Sequence, residues 1–213
     1  MTYGIVISSF RYGHLAAHAI ETVLSQSNKF DKIWFVDDGA GDCAHLVPLY
    51  QDRVEFVLRE QNLGIVDNFN DMLHRADTDY IMFLGADNWL RSDALTKMKM
   101  YIDLASRQNP KVCVYDIIIT GELKNEIFKL YPHQIKIYQG ELHWDRKGYH
   151  HGSMLYHRQT AIDLGGYAHN RTSTRTDEDL NLWDKFKKAG HNSIHIDSPL
   201  LYYRRHKENF NKY

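Results

Sequence analysis

Carboxylates able to do acid–base or metal chemistry occur at three separate places in this chain of 213 residues. Asp37-Asp38 is an early pair, Asp87 follows in Gly85-Ala86-Asp87-Asn88, and Asp177-Glu178-Asp179 comes late. A carboxylate close to a hydroxyl can act as a general base, and one close to a diphosphate can hold a divalent cation. The late cluster at a predicted helix start adds a candidate base to an acidic first half, which favours a group-transfer enzyme.

Each of these acids also has a simple structural explanation. An aspartate after a strand often caps a helix or tightens a turn, and acids in the first turn of a helix are favoured by its dipole. The functional alternatives are that Asp38 accepts a hydrogen bond from a base or ribose, and that Asp87 holds Mg²⁺ or Mn²⁺ together with diphosphate oxygens. From the residues alone, both interpretations stay open.

A dense cationic group, Tyr202-Tyr203-Arg204-Arg205-His206-Lys207, lies near the end of the sequence. It is either a solvated basic segment or a functional one. In the second case His206 helps to ligate the cation, and an arginine neutralises a leaving diphosphate.

The first half of the chain alternates short apolar runs with helical periodicity. The predicted strands cover residues 5–7, 33–36, 54–58 and 80–84, with helices at 14–27, through Met72 and Leu73, and through Leu95 and Ile102. This alternation predicts an α/β fold with a mostly parallel, Rossmann-like central sheet flanked by helices. Ser8, Asp38 and Asp87 all follow predicted strands, at the sheet edge where ligands bind.

The second half is less regular. Residues 112–115 and 117–119 predict a long or bent strand, and residues 131–149 predict loops and short strands. Helices are expected at 158–164 and 177–188, with late strands at 194–196 and 200–203. We predict one domain over residues 1–213, since no linker or repeat interrupts the pattern.

Composition limits the partners. A net charge of −1 gives no basic field for nucleic acid, and two cysteines cannot build a disulfide framework. No signal peptide and no apolar run of roughly 20 residues is present in this sequence. We therefore expect a cytoplasmic protein without a transmembrane segment, for which peripheral membrane contact and oligomeric state stay open.

Taken in order, the motifs resemble the family-two inverting glycosyltransferases, which have a GT-A fold. The resemblance covers essentially the whole chain. The matching segments are Val6-Ile7-Ser8-Ser9-Phe10-Arg11, Val36-Asp37-Asp38-Gly39, Asn62-Leu63-Gly64 with Asn68-Phe69-Asn70, Gly85-Ala86-Asp87-Asn88, Gly152-Ser153-Met154-Leu155, Gly165-Gly166-Tyr167, Glu178-Asp179 with Leu182-Trp183, and Tyr203-Arg204-Arg205-His206.

The resemblance implies a role for each site residue. Residues 1–110 would form the nucleotide-sugar-binding half and residues 111–213 the acceptor-binding and catalytic half. Contacts to the nucleotide-sugar donor are expected from Ser8, Phe10, Arg11, Asp38, Asn68, Ala86, Asp87 and Arg204. A Mn²⁺ or Mg²⁺ cofactor is expected on Asp87 and His206, catalysis from Asp179 supported by Glu178, and acceptor contacts from Trp144, His151, Gly152 and Ser153.

Three positions depart from the family pattern. Gly85 and Asn88 stand where further carboxylates are common, and Phe69 stands where an arginine often precedes the asparagine of the third helix. Asp87 is then the acidic ligand that remains in its motif.

The expected activity is transfer of a sugar from a nucleotide-diphosphate sugar, with a UDP-sugar as the leading expectation. The acceptor is a hydroxyl of a glycan or a lipid-linked molecule, in surface polysaccharide or glycoconjugate synthesis. A sugar-nucleotide nucleotidyltransferase is one alternative, although Ser8-Ser9-Phe10-Arg11-Tyr12-Gly13 is not a Gly-rich phosphate loop. A non-catalytic sugar-nucleotide or glycan-binding protein is another. A dehydrogenase is disfavoured because no G-x-G-x-x-G follows the first strand.

Overall fold

The computed structural model describes residues 1–144, 154–168 and 178–209, with side chains in the last range from Leu180 onward. The strands in that part of the chain are β1 (Tyr3–Ser9), β2 (Lys32–Asp37), β3 (Glu55–Leu58), β4 (Tyr80–Gly85), β5 (Trp89–Leu90), β6 (Val112–Thr120), β7 (Ile135–Tyr138), β8 (Glu141–Trp144), β9 (Met154–His157) and β10 (Ser193–Arg204). The α-helices are α1 (Gly13–Leu24), α2 (Val47–Tyr50), α3 (Ile65–Arg75), α4 (Ala94–Leu104), α5 (Lys124–Leu130), α6 (Arg158–Asp163) and α7 (Glu178–Lys188).

One continuous sheet has the strand order β3-β2-β1-β4-β9-β6-β10-β5, with β8 pairing β6 and β7 pairing β8. Strands β1 to β4 run parallel, as do β6 and β10. Strand β9 lies between β4 and β6 and runs antiparallel to both. The predicted α/β fold with its parallel first half is confirmed, and β9 joins the two parallel groups.

Both faces of the sheet are covered, because the central strands are apolar on both sides. Along β1, Ile5 and Ile7 pack with α1 in one core, while Val6 packs in a second core with α3 and α7. Alternating side chains of one strand therefore belong to different cores, as expected for a strand between two helical layers.

The second half contains two long strands, one expected as a single strand and one predicted as two separate strands. Residues 112–119 are one strand, β6, in which Asp116 is fully buried. Residues 194–203 belong to β10, whose pairing with β6 shifts in register on either side of Pro199. A proline lacks the amide proton needed for regular pairing, so the irregularity lies where the sequence requires it.

Candidate active site

The carboxyl ends of β1, β2 and β4 lie side by side. Ser8 is in register with Val36 of β2 and with Gly85 of β4. Beyond the strand ends, the amide of Asp38 donates to the carbonyl of Ser9, and the amide of Ala86 donates to the carbonyl of Ser8, both at 2.9 Å. The expected gathering of the loops after these three strands at one edge is confirmed.

Asp38 is buried, and its carboxylate holds the loop that precedes α3. Its two oxygens accept the amides of Leu63 and Gly64, each at 3.1 Å. Burial raises the pKa of Asp38, and these two hydrogen bonds oppose that rise. The next residue, Gly39, has a φ of 81°, and a Cβ there would lie 2.3 Å from the carbonyl carbon of Gln61. Only glycine lets this loop approach so closely.

Arg59, which follows β3, links the residues of this edge into one network. Its Nε donates to Asn68 Oδ1 at 3.1 Å and lies 3.4 Å from Asp38 Oδ1, and its Nη2 pairs with Asp71 at 2.6 Å. Asn68 in turn donates to the hydroxyl of Ser8 at 3.1 Å. The sequence interpretation missed Arg59, although its place directly after a predicted strand was a usable signal.

Phe10 and Arg11 form the turn that leaves β1. Arg11 has a φ of 67°, and its guanidinium carbon lies 4.9 Å from the centroid of the Phe10 ring. The side chain of Arg11 is exposed beside the same sheet edge. Contacts from both residues to a nucleotide stay predictions.

Asp87 meets the segment that follows β10. His206 Nε2 lies 3.2 Å from Asp87 Oδ2, and the side-chain Nδ2 of Asn209 donates to the same oxygen at 2.9 Å. Both Asp87 and Asn209 are nearly buried, with exposures of 6% and 5%. The T-shaped contact of Tyr12 with the imidazole fixes the ring from the side of α1. Asn209 was missed by the sequence interpretation, because no local pattern connects it with Asp87.

Gly85 and Asn88, the departures from the acidic motif, have structural roles here. A Cβ at Gly85 would lie 2.7 Å from Asp87 Oδ1, so a longer side chain would push the carboxylate aside. Asn88 Oδ1 accepts the backbone amide of Arg204 at 2.9 Å, which ties the end of β10 to the loop of Asp87. The two replacements keep Asp87 in place next to His206.

Arg204 is held over an aromatic stack. Its guanidinium carbon lies 4.9 Å from the centroid of Trp89, whose ring stacks on Tyr202 at 5.2 Å. A cavity of about 290 Å³ opens beside it, and its lining residues are His14, Leu15, Glu122, Arg204, His206, Lys207 and Glu208. Arg204 and Lys207 balance the two glutamates in this lining, and the two imidazoles add polar groups.

A second group of possible metal ligands lies at the last residue of β2 and in the loop that follows it. Among the residues the structure describes, Asp37, Asp42 and Cys43 bring one ligand atom each within 4.8 Å of one another. Asp37 already accepts the amide of Ala40, and Asp42 accepts that of Gly13, both at 2.9 Å. Burial raises the pKa of the Cys43 thiol, which keeps it protonated and makes it a poor ligand. Asp87 with His206 offers a carboxylate oxygen and an imidazole nitrogen without a thiol, and it is the better candidate on this ground.

The catalytic and acceptor predictions fall largely outside the described side chains. Helix α7 begins at Glu178, as predicted to within one residue, but the side chains of Glu178 and Asp179 are not described. His151, Gly152 and Ser153 lie outside the described residues. The Trp144 indole is buried and stacks on Tyr131 at 5.5 Å, so its contact with an acceptor stays a prediction.

A polar cluster unforeseen from the sequence lies in the second half. The buried carboxylate of Asp116 contacts His195 Nε2 at 2.7 Å and His143 Nε2 at 3.1 Å, and thereby joins β6, β8 and β10. An aspartate inside the apolar run of β6 was the available signal, since a buried carboxylate requires partners.

Comparisons with known proteins bear on the family and the fold of this chain. Residues 4–165 match the family model described as glycosyl transferase family 2. EpsE of Bacillus subtilis (strain 168), which is described as a glycosyltransferase, is 24% identical over 215 residues, covering 98% of this chain and 74% of that protein.

Two solved structures share the fold. S. aureus TarS in complex with UDP-GlcNAc superposes with a TM-score of 0.73 at 13% identity over 98% of this chain. The mannosyltransferase PcManGT from Pyrobaculum calidifontis, in complex with GDP-Man and Mn²⁺, gives a TM-score of 0.68 at 13% identity, again over 98% of this chain. The chain spans 60% and 58% of the length of these two proteins.

The chain belongs to glycosyl transferase family 2, and its sheet has the GT-A architecture of the solved relatives. Among the described residues, no helix has both the length and the apolar character required to cross a bilayer.

Proposed function

We propose that the protein is an inverting glycosyltransferase that moves a sugar from a nucleotide-diphosphate sugar to a hydroxyl of a glycan or lipid-linked acceptor. A UDP-sugar is the leading candidate for the donor. The observation that carries this proposal is the meeting of Asp87 with His206 at the sheet edge that also holds Asp38. A carboxylate–imidazole pair thus lies at the sheet edge that also holds the buried Asp38, the residue that would contact the base. The reaction fits synthesis of a surface polysaccharide or glycoconjugate.

The donor would lie along this edge. Asp38 and the loop that it fixes would contact the base, and Ser8, Phe10, Arg11, Asn68 and Ala86 would line the nucleotide. Two fold relatives support a nucleotide-sugar donor, since TarS is described with UDP-GlcNAc and PcManGT with GDP-Man. Residues 1–110 would then form the donor half, and residues 111–213 the acceptor and catalytic half.

The residues around Asp87 fit a Mn²⁺ or Mg²⁺ ion. An aspartate oxygen and an imidazole nitrogen 3.2 Å apart can share one cation, and further coordination positions would go to diphosphate oxygens and water. The bound ion would supply Lewis-acid stabilisation of the charge on the leaving diphosphate. Arg204 and Lys207, beside the same cavity, would add positive charge toward that group.

Asp179 would act as the base at the start of α7. It would remove the proton from the acceptor hydroxyl as that oxygen bonds to the anomeric carbon, while the bond from that carbon to the diphosphate oxygen breaks on the opposite face. Glu178 would support the helix start. The acceptor would be bound by Trp144 and by His151, Gly152 and Ser153.

A donor panel tests the proposal. The purified protein is mixed with UDP-, GDP- and other nucleotide sugars, with and without Mn²⁺, and its melting temperature and donor hydrolysis or transfer are measured. A true donor stabilises the folded state, by about 2.7 kcal/mol at a concentration one hundred times its Kd. Metal-dependent stabilisation with turnover of one donor supports the enzyme. Stabilisation without turnover of any donor indicates a binding protein, and no response to any nucleotide contradicts the proposal.

A further inference from the structure

Helix α3 presents two asparagines to two different parts of the molecule. Asn68 donates a hydrogen bond to Ser8 at the sheet edge where β1, β2 and β4 end, which is called here the donor edge because the sugar donor would bind there. Asn70 lies two positions further along the helix. Residues two apart on an α-helix are separated by roughly 200° around its axis, so they face opposite sides. Helix α3 therefore separates the group bound by Asn68 from the group bound by Asn70 by a fixed distance.

The side-chain amide of Asn70 forms two hydrogen bonds with the backbone of Tyr167. Its Nδ2 donates to the carbonyl of Tyr167 at 3.0 Å, and its Oδ1 accepts the amide of Tyr167 at 2.8 Å. Gly166 has a φ of 58°, and a Cβ there would lie 2.4 Å from Asn70 Oδ1. The turn formed by Gly165, Gly166 and Tyr167, called here the glycine turn, is thus fixed against α3.

The other side of the glycine turn is fixed to α7. Lys185 Nζ donates to the carbonyl of Gly166 at 2.6 Å and to that of Gly165 at 3.2 Å. Partial burial at these contacts lowers the pKa of Lys185. One turn of backbone accordingly holds α7 to α3.

Aromatic packing reinforces this connection. The hydroxyl groups of Tyr156 and Tyr167 lie 2.7 Å apart, and the ring of Tyr156 packs on Phe186 at 6.0 Å. Phe186 lies on α7 next to Lys185 in sequence and is buried. Lys185 and Phe186, about two helical turns beyond the first residues of α7, therefore help to hold this helix.

We propose that Asn70 and Lys185 are positioning residues, which set the start of α7 relative to the donor edge through the glycine turn. The inference rests on the proposed function, in which the first turn of α7 carries the base. A small displacement of a catalytic group costs up to about 10²-fold in rate. Donor binding depends on the opposite face of α3 and should not change.

Kinetics of Lys185 variants form the first arm of the test. Lys185→Met should lower kcat by about 10–100-fold, while its Kd for the sugar donor stays within about twofold of the parent value. The variant should still unfold in a cooperative thermal transition, which shows that it is folded. Lys185→Arg should retain most of the parental kcat, because arginine keeps the positive charge and the hydrogen-bond donors of lysine. Lys187→Met, an exposed position on the same helix, is the matched control and should leave kcat unchanged. Parental kcat in folded Lys185→Met, or losses in kcat and donor affinity that follow loss of melting temperature, would overturn the inference.

Hydrogen exchange forms the second arm, and it does not depend on activity. In the contacts given above, the side chain of Asn70 is linked to α7 through the glycine turn. Asn70→Ala should therefore speed amide hydrogen exchange in α7. The amides of β1 should remain as protected as in the parent protein. Combined with Lys185→Met, Asn70→Ala should add little, since both variants release the same turn. Unchanged exchange in α7 overturns the inference. A parent protein inactive on every donor, with faster exchange in α7, instead contradicts the proposed function alone.

Discussion

Asp87 and His206 are 119 residues apart in the chain, yet their Oδ2 and Nε2 atoms lie 3.2 Å apart. The strand order explains this meeting. Asp87 follows β4, and β5 immediately after it pairs antiparallel with the end of β10, so the segment after β10 returns to the loop of Asp87. Asn209 then donates to the same carboxylate and holds this segment down.

Removing the carboxylate of Asp87 should abolish metal-dependent donor binding. In Asp87→Ala, the affinity for a nucleotide sugar in Mn²⁺ should fall to the value seen in chelator, because the cation loses its anionic protein ligand. Isothermal titration with and without EDTA measures this. Asp52→Ala, an exposed aspartate elsewhere on the surface, is the control. Affinity indifferent to both chelator and Asp87→Ala would favour a metal-independent enzyme that uses Arg204, Arg205 or Lys207.

Two glycines after β2 allow two effects of a substitution to be separated, namely backbone strain and displacement of the loop that Asp38 holds. Gly39 and Gly41 both have positive φ, at 81° and 74°, but a Cβ at Gly41 would meet nothing within 4 Å. Each change to alanine should cost about 1–3 kcal/mol of folding free energy through strain alone. Gly39→Ala should in addition displace the loop held by Asp38 and weaken nucleotide binding. Urea unfolding and nucleotide titration of both variants test this, and equal nucleotide affinity in the two would refute it.

The cap of α6 gives a pH dependence of stability. His157 Nδ1 accepts the amide of Thr160 at 3.3 Å, which requires a neutral imidazole. Burial lowers the pKa of His157 below 6.5. The contribution of the cap is therefore complete above the unfolded pKa of about 6.5 and is lost as pH falls through the lower folded pKa.

Replacement of His157 by asparagine, which caps without titrating, isolates this effect. The free energy of unfolding should fall between pH 7 and pH 5 by more in the parent protein than in His157→Asn, by up to about 0.5–2 kcal/mol. Urea unfolding at several pH values gives the comparison. Parallel curves for the two proteins would show that the cap does not titrate in this range.

The local pattern predicted where β1, β2 and β4 end, because strand ends can be located from apolar runs and acidic turns. Ser8 lies near the end of β1, Asp38 and Asp87 follow β2 and β4, and parallel register sets these strand ends side by side. Arg59 directly follows a predicted strand and could have been found this way, whereas Asn209 could not, since its partner Asp87 is 122 residues away.

Sequence also could not predict what the departures from the motif do. The effect of Gly85 depends on the rotamer of Asp87, and that of Asn88 depends on the backbone of Arg204, 116 residues away. Likewise, β6 was expected to be long or bent, but its buried Asp116 became intelligible only when His143 and His195 were placed beside it. Tertiary contacts of this kind leave no periodic trace in the chain.

The central claim, that Asp179 is the base of a sugar transfer, is tested most directly by comparing kcat and donor Kd in Asp179→Asn. The substitution keeps the shape of the side chain but removes its basicity, so we expect kcat to fall by about 10²–10⁴-fold while donor Kd changes little. Glu178→Gln is the matched neighbour and should have a smaller effect. A large loss in Glu178→Gln with Asp179→Asn nearly active would transfer the role to the glutamate, and full activity in both variants would contradict the account.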